Sequence, residues 1–549
     1  MKIALSQLNY RIADFAGNAR AIIRTIEKAR NDGADLVIFS ELSVTGYPPL
    51  DLLEQHDFIE EAEKTVMIIA KECTGIAAIV GAPTLNKSHR GKKLFNSAYF
   101  IRDGVLEHIQ HKTHLPNYDV FDEYRYFEHN TEFRLIQYLD KKFALTICED
   151  LWDNQPVENS FARDKLYTVS PMESYSASQP DFVINIAASP FSYNKENLRK
   201  DVMVKNAINY HIPVIYVNQV GANNDLIFDG GSLVLNSSGK TVVEMDYFRE
   251  DYRLIETDNI EAMVPVTSIQ VQVIQKIHNA LVLGIRDYFS KMNLKSAIIG
   301  LSGGIDSAVT LVLATKALGA ENIRVLLLPS EFSSEHSVSD ALELTNRLKV
   351  KSDIISIQPV FSEFKNSLAG IFDGLQNDIT EENIQARARG VFLMSVSNKF
   401  GDILLNTSNK SEAAVGYGTL YGDMNGGLSV LGDIYKTDVY RLAEFINQGN
   451  EIIPVNTLIK PPSAELRYGQ KDSDSLPEYG ILDKILFHYI ESKQSAHEII
   501  SIGYEADVVN KVIRMVNSNE YKRYQSPPVL RVSSKAFGPG RRMPLVARY

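Results

Sequence analysis

The chain has 549 residues, of which 44% are hydrophobic and 23% are charged, a composition typical of a globular protein with two or more domains. Its formal net charge is −11 and no block of lysine and arginine stands out, which argues against a nucleic-acid partner. The N-terminus lacks the apolar core of a signal peptide, and no apolar run reaches about 18 residues, so we expect neither export nor a membrane span. Two cysteines, Cys73 and Cys148, are too few for a disulfide framework, and we expect a cytoplasmic location.

The first half of the sequence alternates short apolar runs with amphipathic segments. We predict strands at residues 2–7, 36–41, 76–83, 143–149, 182–189 and 213–221. Runs that are short and almost continuously apolar are typical of strands buried on both faces of a sheet. The composition turns polar and acidic near residues 250–268, and we place a boundary there, which gives domains 1–260 and 261–549.

Three polar stretches of the first half offer a carboxylate, a lysine and a cysteine in that order. They are FSELSVTGYP with Glu41, KTHLPNYDVFDEYRYF with Lys112 and TICEDLW with Cys148. A thiol with an ordinary pKa of about 8.5 is mostly protonated at neutral pH, so Glu41 would act as its general base. Lys112 would stabilise an oxyanion, with the backbone N–H of Glu149 as a second donor. Nothing around Cys73 suggests activation, and we expect it to be an ordinary buried cysteine.

This constellation resembles the nitrilase, or carbon–nitrogen hydrolase, superfamily over about residues 1–260. The resemblance implies an α/β domain with a four-layer αββα sandwich, in which the three residues release ammonia from an amide through a thioester. It also implies that Glu123 is a second glutamate of the site. The positions that match glutamine-binding residues of the superfamily are Tyr47, Tyr118 and Ser189.

Two features of this half stay open. A basic residue usually follows the glutamine-binding serine in this superfamily, and Lys195 and Arg199 both fit that position. The segment 153–180 is longer than in most members. We expect it to be a surface loop, with a lid or an assembly contact as alternatives.

In the second half, a helical pattern at 267–292 precedes strand patterns at 296–302, 323–329, 353–357 and 402–408. Helical segments between the strands predict a doubly wound parallel sheet. The stretch Ser302-Gly303-Gly304-Ile305-Asp306-Ser307 lies where the first strand ends and a helix begins. Glycine lets the backbone approach a ligand closely, and the free N–H groups of a helix N-terminus bind phosphate. The acidic side chain at 306 would repel a bare phosphate, which suggests a magnesium ion between them.

This loop resembles the pyrophosphate-binding loop of the ATP pyrophosphatases, whose domain is adenine-nucleotide hydrolase-like. Further stretches at 326–341, 381–390, 404–427, 433–443 and 460–466 resemble the NAD synthetases among them. The ATP-binding positions implied are Gly300, Leu301, Ser302, Gly303, Gly304, Ile305, Asp306, Ser307, Thr407, Lys436 and Ser463. The positions implied for deamido-NAD (nicotinic acid adenine dinucleotide) are Asn383, Glu412, Tyr417, Gly418, Thr419, Leu420 and Lys522.

The same resemblance implies that Asp306 and Glu412 bind Mg²⁺. One departure from the family concerns the dinucleotide. Short, ammonia-using members carry a lysine and an aspartate that contact this substrate, where the present chain has Leu420 and Gly427. We therefore expect its contacts with the substrate to differ in detail.

The two halves together resemble the glutamine-dependent NAD synthetases. The resemblance implies a ligase that converts deamido-NAD, ATP and glutamine to NAD, AMP, pyrophosphate and glutamate, and that forms a homo-oligomer, either a dimer or an octamer. The alternatives are another glutamine amidotransferase of the ATP pyrophosphatase type, an amidase with an inactive second domain, and a nucleotide-binding scaffold. The presence of Cys148, Asp306 and Glu412 favours an enzyme with two working sites.

Overall fold

The computed structural model describes residues 1–547 except 89, 153–165, 194–195 and 268–270. The chain forms two compact units, Met1–Gln270 and Val271–Tyr549. Among the described helices, none combines the length and the apolar character that crossing a bilayer requires.

The first unit contains two six-stranded sheets and a two-stranded hairpin. Its strands are β1 (Lys2–Gln7), β2 (Leu36–Ile38), β3 (Ala77–Leu85), β4 (Leu94–Arg102), β5 (Val105–His111), β6 (Ile136–Tyr138), β7 (Lys141–Ile147), β8 (Phe182–Ala187), β9 (Val214–Asn218), β10 (Val220–Asn223), β11 (Leu226–Asp229), β12 (Leu233–Leu235), β13 (Thr241–Glu244) and β14 (Asp251–Glu256). Its α-helices are α1 (Phe15–Asn31), α2 (His56–Glu72), α3 (Glu123–Tyr126), α4 (Pro171–Ser176) and α5 (Glu196–Tyr210). The strand orders are β14-β1-β2-β3-β4-β5 and β13-β12-β9-β8-β7-β6.

The two large sheets face each other across an apolar core. Ile38 of the first sheet and Ile184 of the second belong to this one cluster of buried side chains. On the outer face of the first sheet, α1 and α2 contribute Ile22 and Val66 to a second cluster. On the outer face of the other sheet, α4 and α5 contribute residues such as Met203 to a third. The expected four-layer αββα sandwich is therefore confirmed, and central strands such as β2, β8 and β9 are buried on both faces because helices cover both sheets.

The polar segment near residue 250 contains a strand that the sequence analysis did not predict. β14 pairs antiparallel with β1, from Lys2 opposite Glu256 to Gln7 opposite Asp251, and forms an edge of the first sheet. An edge strand tolerates charged, half-exposed side chains, so the continuous apolar pattern that identified the central strands is missing here.

The second unit is built on a five-stranded sheet in which every pairing is parallel. Its strands are β15 (Ala297–Gly300), β16 (Ile323–Leu327), β17 (Lys351–Ile354), β18 (Ile403–Asn406) and β19 (Leu428–Ser429). Its α-helices are α6 (Val273–Lys291), α7 (Ile305–Leu318), α8 (Glu335–Leu348), α9 (Gln358–Leu368), α10 (Ile379–Phe400), α11 (Lys410–Val415), α12 (Lys436–Ile446), α13 (Val455–Ile459), α14 (Tyr479–Leu486), α15 (Ala496–Ser501), α16 (Ala506–Ser518) and α17 (Glu520–Arg523).

The order β17-β16-β15-β18-β19 confirms the predicted doubly wound sheet. β15 lies between β16 and β18. After β15 the chain adds β16 and β17 on one side of it and then crosses to add β18 and β19 on the other side. A crevice forms at such a switch point, beyond the carboxyl ends of the two strands. The loops that follow β15 and β18 therefore meet at the edge where the sequence motifs place a ligand.

The turn between β15 and α7 needs glycine at one of its two glycine positions. Gly303 has φ +80°, and a Cβ atom there would lie 2.2 Å from the carbonyl oxygen of Ser337 in the first turn of α8. Gly304 has φ −85°, and a Cβ atom there would meet only the flexible hydroxyl of Ser302, at 3.2 Å. Only the first glycine is thus required by both backbone conformation and packing.

We predict that Gly303→Ala lowers the stability of the second unit, because the methyl group is strained at positive φ and collides with the backbone of α8. We expect a loss of at least about 2 kcal/mol, which corresponds to a midpoint roughly 4–8 °C lower for a unit of this size. Thermal unfolding followed by circular dichroism measures the change. The matched control is Gly304→Ala, and an equal loss in the control would contradict the explanation.

Candidate active sites

A buried lysine between two glutamates lies at the centre of the first site. Lys112 Nζ donates to Glu41 Oε1 at 2.7 Å and to a carboxylate oxygen of Glu123 at 2.8 Å. All three side chains are buried, and the lysine is fully so. Burial alone would lower the pKa of Lys112, but the charges of Glu123 and Glu41 raise it well above its usual range. The ammonium group is therefore a fixed positive charge.

Cys148 lies at the point where the chain leaves β7. It adopts φ +43° and is the first residue of a single 3₁₀ turn, Cys148–Leu151. Burial is the main reason that the pKa of its thiol is raised well above the usual range; the negative charge of Glu41 adds to this and Lys112 opposes it. The thiol is therefore protonated at neutral pH and needs a base before it can act as a nucleophile.

Asp150 ties the lysine segment to the cysteine turn. Its Oδ1 accepts hydrogen bonds from the backbone N–H groups of Thr113 and His114, each at 2.9 Å, and its Oδ2 accepts one from Ile147 N at 3.0 Å. These bonds join the residue that follows Lys112 to the residue that precedes Cys148. The sequence analysis did not select Asp150, because its role depends on a segment almost 40 positions away.

Glu41 follows β2 and is fixed from two sides. Its Oε2 accepts a hydrogen bond from Ala188 N, beyond the end of β8, at 2.9 Å. A Cβ atom on Gly81 of β3 would lie 2.3 Å from the backbone nitrogen of Leu42, so the segment that carries Glu41 can pack against β3 only because glycine occupies position 81. Glu41 and Cys148 thus lie near the carboxyl ends of two strands, β2 and β7, that belong to the two facing sheets.

The structure places the predicted glutamine-binding residues around these groups. Tyr47 donates to Glu123 Oε1 at 2.9 Å, and Tyr118 donates to Glu149 Oε1 at 2.7 Å. Ser189 N donates to the side-chain amide oxygen of Asn218 at 2.8 Å.

Of the two basic candidates for the glutamine site, Arg199 lies among the described residues and Lys195 does not. Arg199 forms two buried hydrogen bonds with the carboxylate of Asp229, at 2.8 and 2.9 Å, so its guanidinium group already has a partner of opposite charge. Lys195 lies outside the described residues, as does most of the long segment after Trp152. His114, two residues after Lys112, is buried and contacts the backbone oxygens of Glu149 and Val169.

The second site also contains a lysine between two carboxylates. Lys436 Nζ lies 2.5 Å from Asp306 Oδ2 and 3.3 Å from Glu412 Oε1. Asn409, the N-cap of α11, donates to Asp306 Oδ1 at 2.9 Å. Burial raises the pKa of Glu412 to about 8, with a further contribution from Asp306 and an opposing one from Lys436. The same two carboxylates bring Lys436 to a pKa well above its usual range, although burial opposes this.

A cavity of about 280 Å³ opens beside these groups, beyond β15 and β18. It is lined by every predicted ATP-binding residue except Gly303, and by Glu412 and Tyr417 from the predicted dinucleotide set. The remaining members of that set are Asn383, Gly418, Thr419, Leu420 and Lys522, and they do not line the cavity.

Two of those remaining residues, Gly418 and Thr419, belong to the turn at 416–419, and two others, Asn383 and Lys522, form hydrogen bonds with it. Thr419 donates to the amide oxygen of Asn383 at 2.7 Å. Lys522 donates to the backbone oxygens of residues 416 and 418, each at 2.8 Å, and burial lowers its pKa. The dinucleotide positions predicted from the sequence therefore form one group, adjoining the cavity through Tyr417.

Five charged residues line the cavity that the sequence analysis did not select. They are Arg389, Asp423, Lys460, Glu465 and Asp472. Lys460 Nζ lies 2.6 Å from Glu465 Oε1, and Arg389 donates to the backbone oxygen of Leu328 at 3.0 Å. Arg389 is on α10, Asp423 lies between α11 and β19, and the others are in the segment after α13. No local spacing brings these segments together, so only the tertiary structure reveals them.

We predict that Glu123→Gln changes how the stability of the first unit depends on pH. Burial raises the pKa of Glu123 to about 7, with Glu41 adding to it and Lys112 opposing it, against 4.5 for an exposed glutamate. Between pH 4.5 and about 7 the folded chain keeps a proton on Glu123 that the unfolded chain has lost. The stabilisation that this proton gives to the folded state is therefore fully present below about pH 4.5 and is lost as the pH rises to about 7. The wild type should lose about 2–3 kcal/mol over that range relative to the variant.

The measurement is urea unfolding followed by the fluorescence of Trp152, which is the chain's one tryptophan and lies in the first unit. Glu27→Gln, at an exposed position of α1 in the same unit, is the control. A difference between wild type and Glu123→Gln that is constant with pH would show that Glu123 is ionised throughout.

Comparison with known proteins identifies two family domains. A model described as carbon–nitrogen hydrolase matches residues 2–263, and one described as NAD synthase matches residues 277–526. The glutamine-dependent NAD(+) synthetase of Synechocystis is 43% identical, with 100% of this chain and 99% of that protein covered. The protein of the same description from Thermotoga maritima is 38% identical, with the same coverage.

Solved structures agree with these matches. The glutamine-dependent NAD+ synthetase of Acinetobacter baumannii, determined in complex with adenosine diphosphate, is 37% identical with a TM-score of 0.78 and covers 99% of this chain and 98% of its own. A glutamine-dependent NAD(+) synthetase from Cytophaga hutchinsonii, 20% identical with a TM-score of 0.84, has the same fold over 100% of this chain and 98% of its own. From its N-terminal sandwich to its C-terminal nucleotide crevice, this chain belongs to the family of glutamine-dependent NAD(+) synthetases.

Proposed function

We propose that the protein catalyses the ATP- and glutamine-dependent amidation of deamido-NAD to NAD, with AMP, pyrophosphate and glutamate as the other products. The observation that carries the proposal is the presence of two complete polar sites in one chain. The first contains a thiol, a carboxylate and a buried ammonium group. The second contains a phosphate-binding turn, two carboxylates and a buried ammonium group around one cavity. A scaffold or an amidase with an inactive second domain would need only one of them.

In the first unit, Glu41 takes the proton of the Cys148 thiol, and the sulfur attacks the amide carbon of glutamine. Lys112 stabilises the negative charge on the tetrahedral oxygen. Collapse of this intermediate breaks the carbon–nitrogen bond, and the proton held by Glu41 leaves with ammonia. Water then adds to the thioester, which releases glutamate and restores the thiol. Tyr47, Tyr118 and Ser189 would hold the substrate in place.

In the second unit, the carboxylate of deamido-NAD attacks the α-phosphorus of ATP and displaces pyrophosphate. The resulting mixed anhydride has a good leaving group, AMP, which ammonia displaces to give the amide. The turn at 302–307 would bind phosphate oxygens through its N–H groups and hydroxyls, and Lys436 would balance charge on the departing pyrophosphate. Thr407 and Ser463, which line the same cavity, would contact the nucleotide.

The residues of the cavity fit a magnesium ion. Asp306 and Glu412 offer carboxylate oxygens, the ligand type that Mg²⁺ prefers, next to the turn that would bind phosphates. When bound, the ion neutralises charge on the phosphate oxygens. The two carboxylates would hold it, with Asn409 fixing the orientation of Asp306 through a hydrogen bond to Oδ1.

We further propose that the protein is a cytoplasmic homo-oligomer. Large apolar side chains on the surface of α10 support this, because Ile379, Val391 and Phe400 are each at least 60% exposed. Contacts between copies of the chain would remove such surface from water.

The first prediction of this proposal separates the two sites. Cys148→Ala should lose glutamine-dependent NAD formation by at least about 1,000-fold, because no other described nucleophile replaces the thiol. Its NAD formation from ammonium should remain within about twofold of wild type, since the second site is unchanged. The assay measures NAD from deamido-NAD, ATP and Mg²⁺ with either nitrogen source. Cys73→Ala, at the buried cysteine of the same unit, is the control and should keep both activities.

The same assay can reject either half of the proposal. If the wild type makes no NAD from ammonium, the function assigned to the second unit is wrong. If Cys148→Ala still uses glutamine, the function assigned to Cys148 is wrong.

The second prediction concerns the carboxylates of the cavity. Asp306→Asn should reduce NAD formation from ammonium at least about 100-fold at fixed Mg²⁺, with partial recovery when Mg²⁺ is raised, because a neutral amide binds the cation weakly. Asp402→Asn is the matched control, since Asp402 is also ion-paired, to Arg324, and is even more buried than Asp306, but precedes β18 at the opposite edge of the sheet. Equal losses in the two variants would show that only stability is affected.

A further inference from the structure

Asn96 contacts the polar groups of the first site, yet no step described above uses it. It lies on β4 and is fully buried. Its side-chain Nδ2 donates to Glu41 Oε1 at 2.7 Å and lies 3.4 Å from Glu123 Oε2. Its backbone oxygen accepts a hydrogen bond from Lys112 N at 2.8 Å. One residue therefore contacts the two glutamates through its side chain and the lysine through its backbone.

Within the described part of the chain, the hydrogen bonds to Glu41 leave one of its acceptor positions open. An ionised carboxylate has about four acceptor positions, two on each oxygen. Oε1 of Glu41 accepts from Lys112 Nζ and from Asn96 Nδ2, both at 2.7 Å. Oε2 accepts from Ala188 N at 2.9 Å. The open position is therefore on Oε2.

We propose that Asn96 is a positioning residue of the glutaminase site: with Lys112, it occupies both acceptor positions of Glu41 Oε1, so that Oε2 is the oxygen that takes the proton of Cys148. The inference rests on the proposed glutaminase function. In the step, the S–H bond of Cys148 breaks, an O–H bond forms on Oε2, and the electron pair stays on sulfur to attack the amide carbon. The proton later leaves with ammonia.

The amide of Asn96 also favours the ionised form of the base. A hydrogen bond donated to a carboxylate stabilises its charged state. Several titratable groups of the described residues face this carboxylate: Lys112 at the end of β5, Glu123 on α3, Cys148 after β7, and Tyr47 through Glu123. The lysine is the one cation among them, and both glutamates share it. A neutral donor such as Asn96 therefore adds stabilisation without adding charge.

The decisive experiment is the pH profile of kcat/KM for glutamine hydrolysis, measured as glutamate release, in wild type and Asn96→Leu. Loss of the donor makes the ionised base less favourable, so the acidic limb of the profile should move up by about 0.5–1 pH unit. At about pH 7 the rate should fall 10- to 100-fold, the usual size of a lost hydrogen bond to a charged group. A merely structural role would lower kcat/KM equally at all pH values, and that result would overturn the proposal.

Asn206→Leu is the matched control. Asn206 is a buried asparagine of the same unit whose side-chain amide donates, as far as the described residues go, only to the backbone oxygens of Leu151 and Val202. Replacing Asn206 by leucine removes the same chemical group from the same type of environment. Unlike the replacement of Asn96, it breaks no hydrogen bond to a carboxylate. The control should keep the wild-type pH profile, and a displaced limb in the control would also overturn the proposal.

A second variant keeps the test decisive if Asn96→Leu does not fold, which the fluorescence of Trp152 in the first unit detects. Asn96→Asp has the same shape and places a third carboxylate beside Glu41, so the acidic limb should again move to higher pH; an unmoved limb would contradict the proposal. NAD formation from ammonium is assayed in parallel. If the wild type lacks that activity but its glutamine hydrolysis responds to Asn96 as stated, the proposed overall function fails while this inference stands.

Discussion

Each unit of this protein is organised by a buried lysine ammonium between two carboxylates. Moving such a charge out of water costs several kcal/mol unless partners surround it, and the loss of one partner leaves an uncompensated charge. Lys112 is completely buried and lies between Glu41 and Glu123. The elements that carry these three residues must therefore stay together, and the thiol of Cys148 is placed in their field.

The second unit repeats this arrangement with different geometry. Lys436, at the start of α12, lies between Asp306 on α7 and Glu412 on α11. In both units two acids share one lysine, and burial raises the pKa of one of them, Glu123 to about 7 and Glu412 to about 8. Each site therefore has one carboxylate more than the charge of its lysine requires. The function proposed for each site accounts for this second carboxylate. The first site needs a base besides a charged partner for its lysine, and the second site needs oxygen ligands for a cation.

The sequence revealed those parts of the sites that lie next to strand ends. Glu41, Cys148 and the turn at 302–307 each follow an apolar run, so a local pattern locates them at the edge where active sites form. Asn96 and Asp150 could not be found this way. Asn96 lies inside a strand, where it looks like one polar residue in an apolar pattern. The structural role of Asp150 depends on hydrogen bonds from backbone N–H groups of a segment that is distant in sequence.

The strands of the fold were likewise predictable only where a local apolar pattern marked them. Central strands such as β3 and β8 were predicted because helices cover both of their faces, whereas β14 was missed because an edge strand carries charge on its exposed side. The central strand β4 was missed as well, because polar residues interrupt its apolar run. The cavity-lining side chains of Lys460 and Asp472 come from a segment of irregular structure, whose position depends on what it packs against. Local patterns therefore locate the carboxyl ends of strands better than they locate the loops that cover those ends.

The charges of the first site explain how a partly buried thiol with a raised pKa can be activated. Ionisation of Cys148 by loss of its proton to water would place an additional negative charge among Glu41 and Glu123, and the raised pKa of the thiol reflects that cost together with its burial. Transfer of the same proton to Glu41 leaves the total charge of the cluster unchanged. It moves the negative charge from a carboxylate to sulfur while Lys112 remains beside both glutamates. In the mechanism proposed here, the barrier then depends on the alignment of one oxygen with one sulfur, so the residues that orient Glu41 would govern the reaction as directly as the base itself.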